Sequence, residues 1–176
     1  MKKTFLVLLI AICATANAQY TLLTDFTSNS AFTGVNPMND QNLISVGGAL
    51  YGMTAAGGIN SMGVIFKIMP DGTGYTKLYD FTGFSNGGRP CGSLVSDGTF
   101  FYGMTWQGGT NGIGVVFKIM PDGTGYSKLL DFSGANGKWP CGSLVSDGTF
   151  LYGMTVEGGI NDMGVVFKIM PDGTGY

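Results

Sequence analysis

The chain has 176 residues, 44% of them hydrophobic and only 11% charged, with 9 basic against 11 acidic side chains and a formal net charge of −2. That apolar content supports a folded core, while the sparse, slightly acidic charge set lacks the basic footprint needed to bind nucleic acid or an anionic membrane. Histidine is absent, which removes Ser-His-Asp and Cys-His nucleophilic sites, histidine zinc sites and histidine acid–base catalysis.

At the start of the chain, Lys2 and Lys3 precede a short apolar run from Phe5 to Ile12, and Ala16-Asn17-Ala18 supplies small residues at the −3 and −1 positions of a cleavage site. This pattern predicts a signal peptide over 1–18 with the cut after Ala18, a repeat domain over 19–176, and secretion or surface display. Cys13 reads as one more residue of the apolar run. The run is too short for a helical membrane anchor, and no later segment is apolar for long enough to serve as one.

Residues 20–26, Tyr-Thr-Leu-Leu-Thr-Asp-Phe, match 75–81, Tyr-Thr-Lys-Leu-Tyr-Asp-Phe. After them a unit of about 50 residues repeats. YGMT occurs at 51–54, 102–105 and 152–155; FKIMPDGTGY at 66–75, 117–126 and 167–176; CGSLVSDGTF at 91–100 and 141–150. One unit divides into four short runs rich in Val, Ile, Phe, Tyr and Leu, namely 93–96, 100–105, 114–120 and 126–132 in the second copy. Their length and composition predict strands, and the alternation Val115, Phe117, Ile119 against Lys118 predicts one inward face. Asp97-Gly98 and Asp147-Gly148 read as hairpin turns. In the Pro-Asp-Gly turns at 70–72, 121–123 and 171–173, proline presets φ and glycine takes the left-handed position.

Four strands up and down, repeated every 50 residues or so, predict an all-β, β-propeller-like array of four-stranded antiparallel blades; a β-solenoid is the alternative. The segment at 20–26 then reads as a spare fourth strand, able to close a ring by pairing with the last blade. Three blades are fewer than the usual ~4–8, and the repeat stops inside its third copy. Both features predict an incomplete ring belonging to a longer chain.

LYGMT, GVVFKIMPDG, the LxDF strand and PCGSLVSDG, in order and at the same spacing, resemble the bacterial tandem-repeat proteins of the GloVer, or choice-of-anchor, family. The resemblance runs from Tyr20 to Tyr176. Met53, Met104 and Met154 depart from it, standing where the family often has threonine. The resemblance implies a secreted or surface-displayed repeat protein with a C-terminal anchor beyond Tyr176, and it brings no established reaction.

Eight of the eleven carboxylates sit at repeated positions: Asp25, Asp80 and Asp131; Asp71, Asp122 and Asp172; Asp97 and Asp147. A repeated turn aspartate is accounted for by capping its own turn. Asp40, Glu157 and Asp162 break the repeat. The PDGTG turns lack the alternating acids of a calcium loop, and no motif implies a cofactor. Cys91 and Cys141 are equivalent residues of adjacent units. Export permits a disulfide between them, and two small buried thiols are the other reading.

The repeat varies in two loops. One follows YGMT and carries Trp106, Gln107 and Glu157; the other precedes a proline and carries Arg89 and Trp139. A constant scaffold with variable loops is how repeat folds present binding surfaces. These five residues are therefore the candidates for contact with an extracellular glycan or protein ligand, against the reading that both tryptophans merely cover blade edges. Three functions follow: a non-catalytic binding scaffold, a secreted polysaccharide hydrolase or lyase using carboxylates such as Glu157 and Asp162, or a structural spacer.

Overall fold

A computed structural model describes residues 21–26, 33–38 and 40–176; the signal peptide expected over 1–18 lies outside the described residues. Thirteen strands are present among them, and no helix. No helix is thus long and apolar enough to cross a membrane.

The second unit forms the complete blade. β7 (Gly88–Ser96), β8 (Phe101–Gln107), β9 (Val115–Ile119) and β10 (Ser127–Asp131) make one four-stranded antiparallel meander in chain order. The first blade is β2 (Ile44–Val46), β3 (Ala49–Thr54), β5 (Val64–Ile68) and β6 (Thr76–Asp80), and the third is β11 (Lys138–Ser146), β12 (Leu151–Glu157) and β13 (Val166–Ile169). The short pair β1 (Gly34–Val35) and β4 (Ala56–Gly57) continues the first blade outward, since Val35 opposes Ala56 as Gly88 opposes Gln107. The four-run reading of the unit is borne out, and with it the propeller-like architecture.

The turns form for the stated reasons, with one difference. In the Pro-Asp-Gly turn, Gly72 N–H donates to the Met69 carbonyl at 2.9 Å and Gly72 adopts φ 84°. At the Asp-Gly hairpin only Gly98 takes positive φ. Asp97 N–H reaches Phe100 O at 3.2 Å, and the Asp97 carboxylate accepts from the N–H groups of Thr99 and Phe100. The loop is thus a wider, side-chain-capped turn.

Blades pack face to face, so strand faces that alternation would expose are covered. Val115, Val116, Phe117 and Ile119 are all fully buried. The phenylalanine that ends each fourth strand meets the next blade edge-on. Phe81 lies 5.3 Å from Phe117 and Phe132 5.4 Å from Phe167, both T-shaped, a geometry worth about 0.5–1.5 kcal/mol beyond the area buried. Phe26 meets Phe66 in the same way at 5.6 Å.

Residues 21–26 are irregular rather than a strand, because nothing among the described residues pairs with their backbone. Their packing is nonetheless that of a fourth strand. A Cβ on Gly72 would come 2.6 Å from Leu23 O, just as one on Gly123 would come 2.6 Å from Leu78 O. On the far face of the third blade the equivalents of buried residues are uncovered: Met104 is 1% exposed and Met154 54%.

Candidate functional site

The variable loops meet at the junctions between blades. Asn36, Arg89 and Trp139 occupy one position of the repeat, each just before a proline and each in the left-handed region, at φ 55°, 52° and 55°. A bulky residue rarely adopts this conformation, and a following proline adds to the restriction. The surrounding contacts hold it. Arg89 N–H donates to Met62 O of the preceding blade at 2.8 Å, and Trp139 N–H to Ile113 O at 2.9 Å. The proline behind each lies against a glycine of that same preceding blade, Pro90 on Gly63 and Pro140 on Gly114.

The opposing residue of each junction follows YGMT: Ala55 in the first unit and Trp106 in the second. The threonine before it bridges over it, with Thr54 Oγ1 donating to Ala56 O and Thr105 Oγ1 to Gln107 O, both at 2.8 Å. At the junction of blades two and three, Trp106 and Trp139 stack with ring centroids 6.0 Å apart and planes 8° from parallel. At the junction of blades one and two lies a cavity of about 440 Å3 lined by Asn36, Met38, Ala55, Ala56, Arg89 and Trp106.

Of the five residues singled out by sequence, the structure brings Arg89, Trp106 and Trp139 together and separates the other two. Gln107 faces a second cavity of about 360 Å3 with Met62, Phe84 and the glycine-rich loop at 108–112. Glu157 is half-buried and ion-paired. Lys138 Nζ lies 2.9 Å from Glu157 and 3.1 Å from Asp162, and sits 5.0 Å from the centre of the Trp139 ring. Hydrogen bonding to Glu157 first, then to Asp162, pushes the Lys138 ammonium up, and the Lys138 hydrogen bond holds Asp162 below the usual carboxylate range. This cluster sits against the Trp139 ring through Lys138.

Asn36, Met38 and Ala55 were missed in the sequence reading. Gly34-Val35-Asn36-Pro37 matches Gly87-Gly88-Arg89-Pro90 and Gly137-Lys138-Trp139-Pro140, but two extra residues after Pro37 shift the first unit out of register with the others.

Among the repeated aspartates, Asp71, Asp122 and Asp172 each accept from the N–H and hydroxyl of the threonine two residues on. Asp80 and Asp131 instead cap the glycine-rich loop, accepting from Ile59 N–H and Thr110 N–H at 2.9 Å. No three His, Cys, Asp or Glu side chains among the described residues lie close enough to hold a metal ion. No bond joins Cys91, which is buried, to Cys141, which is half-buried. Cys91 Sγ is turned onto the carbonyl of Pro140, at 3.0 Å, and burial pushes its thiol well above the ordinary value.

The Gloeobacter/Verrucomicrobia repeat model matches residues 10–176. The chain belongs to that family. No curated protein matches it. Among solved structures, one from a nidogen–laminin complex is similar at 17% identity with a TM-score of 0.53, covering 77% of this chain and 47% of its own. The tricorn protease, also 17% identical, matches with a TM-score of 0.49, covering 74% of this chain and 11% of its own. The family member described here thus spans less than half of either structure, and at this identity the likeness to the nidogen–laminin structure shows the propeller-like fold alone.

Proposed function

We propose that this repeat protein is a non-catalytic scaffold, exported through its N-terminal leader, that binds an extracellular glycan or protein ligand on the face formed by its blade junctions. One observation carries the reading: side chains that vary between near-identical units converge on that face, with Arg89 and Trp106 lining one open cavity and Trp139 stacked behind Trp106. Half-buried aromatics beside a cation offer contact area at low entropic cost. Two of the carboxylates that break the repeat, Glu157 and Asp162, both pair with Lys138, and the third, Asp40, accepts the Gly92 N–H at 3.0 Å. Each of the three thus has a structural partner, although the Oδ1 of Asp40 is buried with none among the described residues.

Screening the full chain against glycan and protein arrays tests the reading. Binding should fall by about tenfold or more on Trp106→Ala, the effect of losing a buried aromatic anchor, while circular dichroism stays unchanged. A ligand held equally by the parent and by Trp106→Ala/Trp139→Ala would place the binding surface elsewhere.

A further inference from the structure

The two junctions share one backbone and are filled differently. At the second, Trp106 and Trp139 fill the mouth with their stacked rings. At the first, the same two positions hold Ala55 and Arg89, and the cavity of about 440 Å3 lies there. Alanine at the position that Trp106 holds in the next unit leaves this mouth open. The cavity is lined by Trp106, which stacks on Trp139, and by Arg89.

Arg89 is the only arginine of the chain. Among the described residues it is also the one cationic side chain with no hydrogen bond, ion pair or ring contact. Lys77, Lys128 and Lys138 pair with carboxylates, and Lys67, Lys118 and Lys168 lie over aromatic rings. Its backbone is nevertheless fixed at the mouth by the Met62 hydrogen bond and by Pro90. An exposed, positioned and unneutralised guanidinium is pre-organised for a carboxylate, which it matches through two parallel N–H···O bonds. The Asn36 side-chain amide and the Trp106 indole N–H, on the same cavity, also have no partner among the described residues.

We propose that the cavity binds a hexuronate residue of an acidic polysaccharide. The pyranose ring lies against Trp106, its carboxylate is gripped by Arg89, and Asn36 bonds its hydroxyls. This inference rests on the binding reading above and names its ligand class. A flat apolar wall beside several unspent hydrogen-bonding groups suits a ring with one apolar face and a polar rim. A peptide fits less well: strand addition draws on backbone hydrogen bonds, whereas what this cavity offers is side-chain groups, Arg89, Asn36 and Trp106.

The experiment is a titration of the full chain with trigalacturonate and with its methyl ester, which keeps the ring and removes the charge. Tryptophan fluorescence is the readout, because both tryptophans of the chain lie at this face. The acid should bind about tenfold or more tightly than the ester, the effect of a charge-assisted hydrogen bond. Arg89→Asn should bind both alike. Asparagine is already accommodated in this backbone at Asn36, with φ 55°, so the variant keeps the fold, as circular dichroism should confirm. Equal binding of acid and ester by the parent, or an acid preference that survives in Arg89→Asn, overturns the assignment of Arg89 to a carboxylate and leaves the binding scaffold standing. Failure of both sugars, with a peptide ligand found whose binding is lost in Trp106→Ala, overturns the sugar class alone. Failure of every ligand class overturns both readings.

Discussion

Asp147 shows how a single side chain shapes a repeated turn. Its carboxylate accepts from the Thr149 and Phe150 N–H groups at 2.8 and 2.7 Å and from the Tyr152 hydroxyl at 2.6 Å. The tyrosine hydroxyl first, then the two amides, lower its pKa to about 2. An unfolded aspartate titrates near ~3.9, so between these values the unfolded chain binds the proton more readily. The contribution to stability is therefore complete above about pH 4 and lost as the pH falls towards about 2. Asp147→Asn should unfold at a lower denaturant concentration than the parent at neutral pH, and the gap should close by about pH 2. A gap that stays constant across that range would show that the carboxylate's charge plays no part. Capping of this kind was legible in the repeat, because an aspartate recurring beside a turn glycine has a local cause. The binding face was legible only in part. Arg89, Trp106 and Trp139 stood out as differences between copies, whereas Ala55 matters through the volume it leaves empty, and an absent side chain gives no signal in one sequence.

The first strand of each blade departs furthest from its sequence pattern. Length and composition predicted a strand over 93–96, yet β7 begins at Gly88, and its register slips between Cys91 and Val95. Proline normally marks a strand boundary because it lacks a ladder donor. Here Pro90 opposes Thr105 in register while its ring rests on Gly63 of the preceding blade. The slip brings neighbouring first strands very close. Ser93 N–H donates to Ser143 Oγ at 2.8 Å, and Asn42 N–H to Ser93 Oγ at 2.7 Å. At Gly92 (φ 66°) a Cβ would stand 1.8 Å from Gly142 O, whereas at Gly142 (φ 71°) nothing lies within 4 Å. Gly142→Ala should then cost only the left-handed penalty of about 1–2 kcal/mol. Gly92→Ala adds a backbone collision and should cost more than about 3 kcal/mol. Denaturant midpoints of the two variants provide the comparison. Equal losses would mean that the junction opens without resistance.

Among the described residues the main contacts between blades run from the first to the second and from the second to the third, so stability is treated as a sum of blade terms and junction terms. The junction term rests on aromatics that recur in phase: Phe81 on Phe117, with Tyr126 stacked on Phe117 at 5.5 Å, and Phe132 on Phe167. The order of strands was readable from the chain because period-two patterning survives in every unit. The burial of both sheet faces was not, because it arises only when one blade covers the next: Val116 is fully buried and its equivalent Val166 is 79% exposed. This quasi-linear design makes the junctions separable. Phe132 is fully buried, and Phe132→Ala removes about 3–5 kcal/mol from the second junction. Trp106 and Trp139 report on that same junction. In the parent chain, fluorescence and circular dichroism should follow one unfolding transition. In Phe132→Ala the fluorescence change should come first, at lower denaturant, with the remaining β-structure lost later. Phe81→Ala weakens the other junction and should leave the fluorescence transition at or behind the circular dichroism transition. Coincident transitions in both variants would mean that the blades unfold as one cooperative block, with junction energy shared along the array.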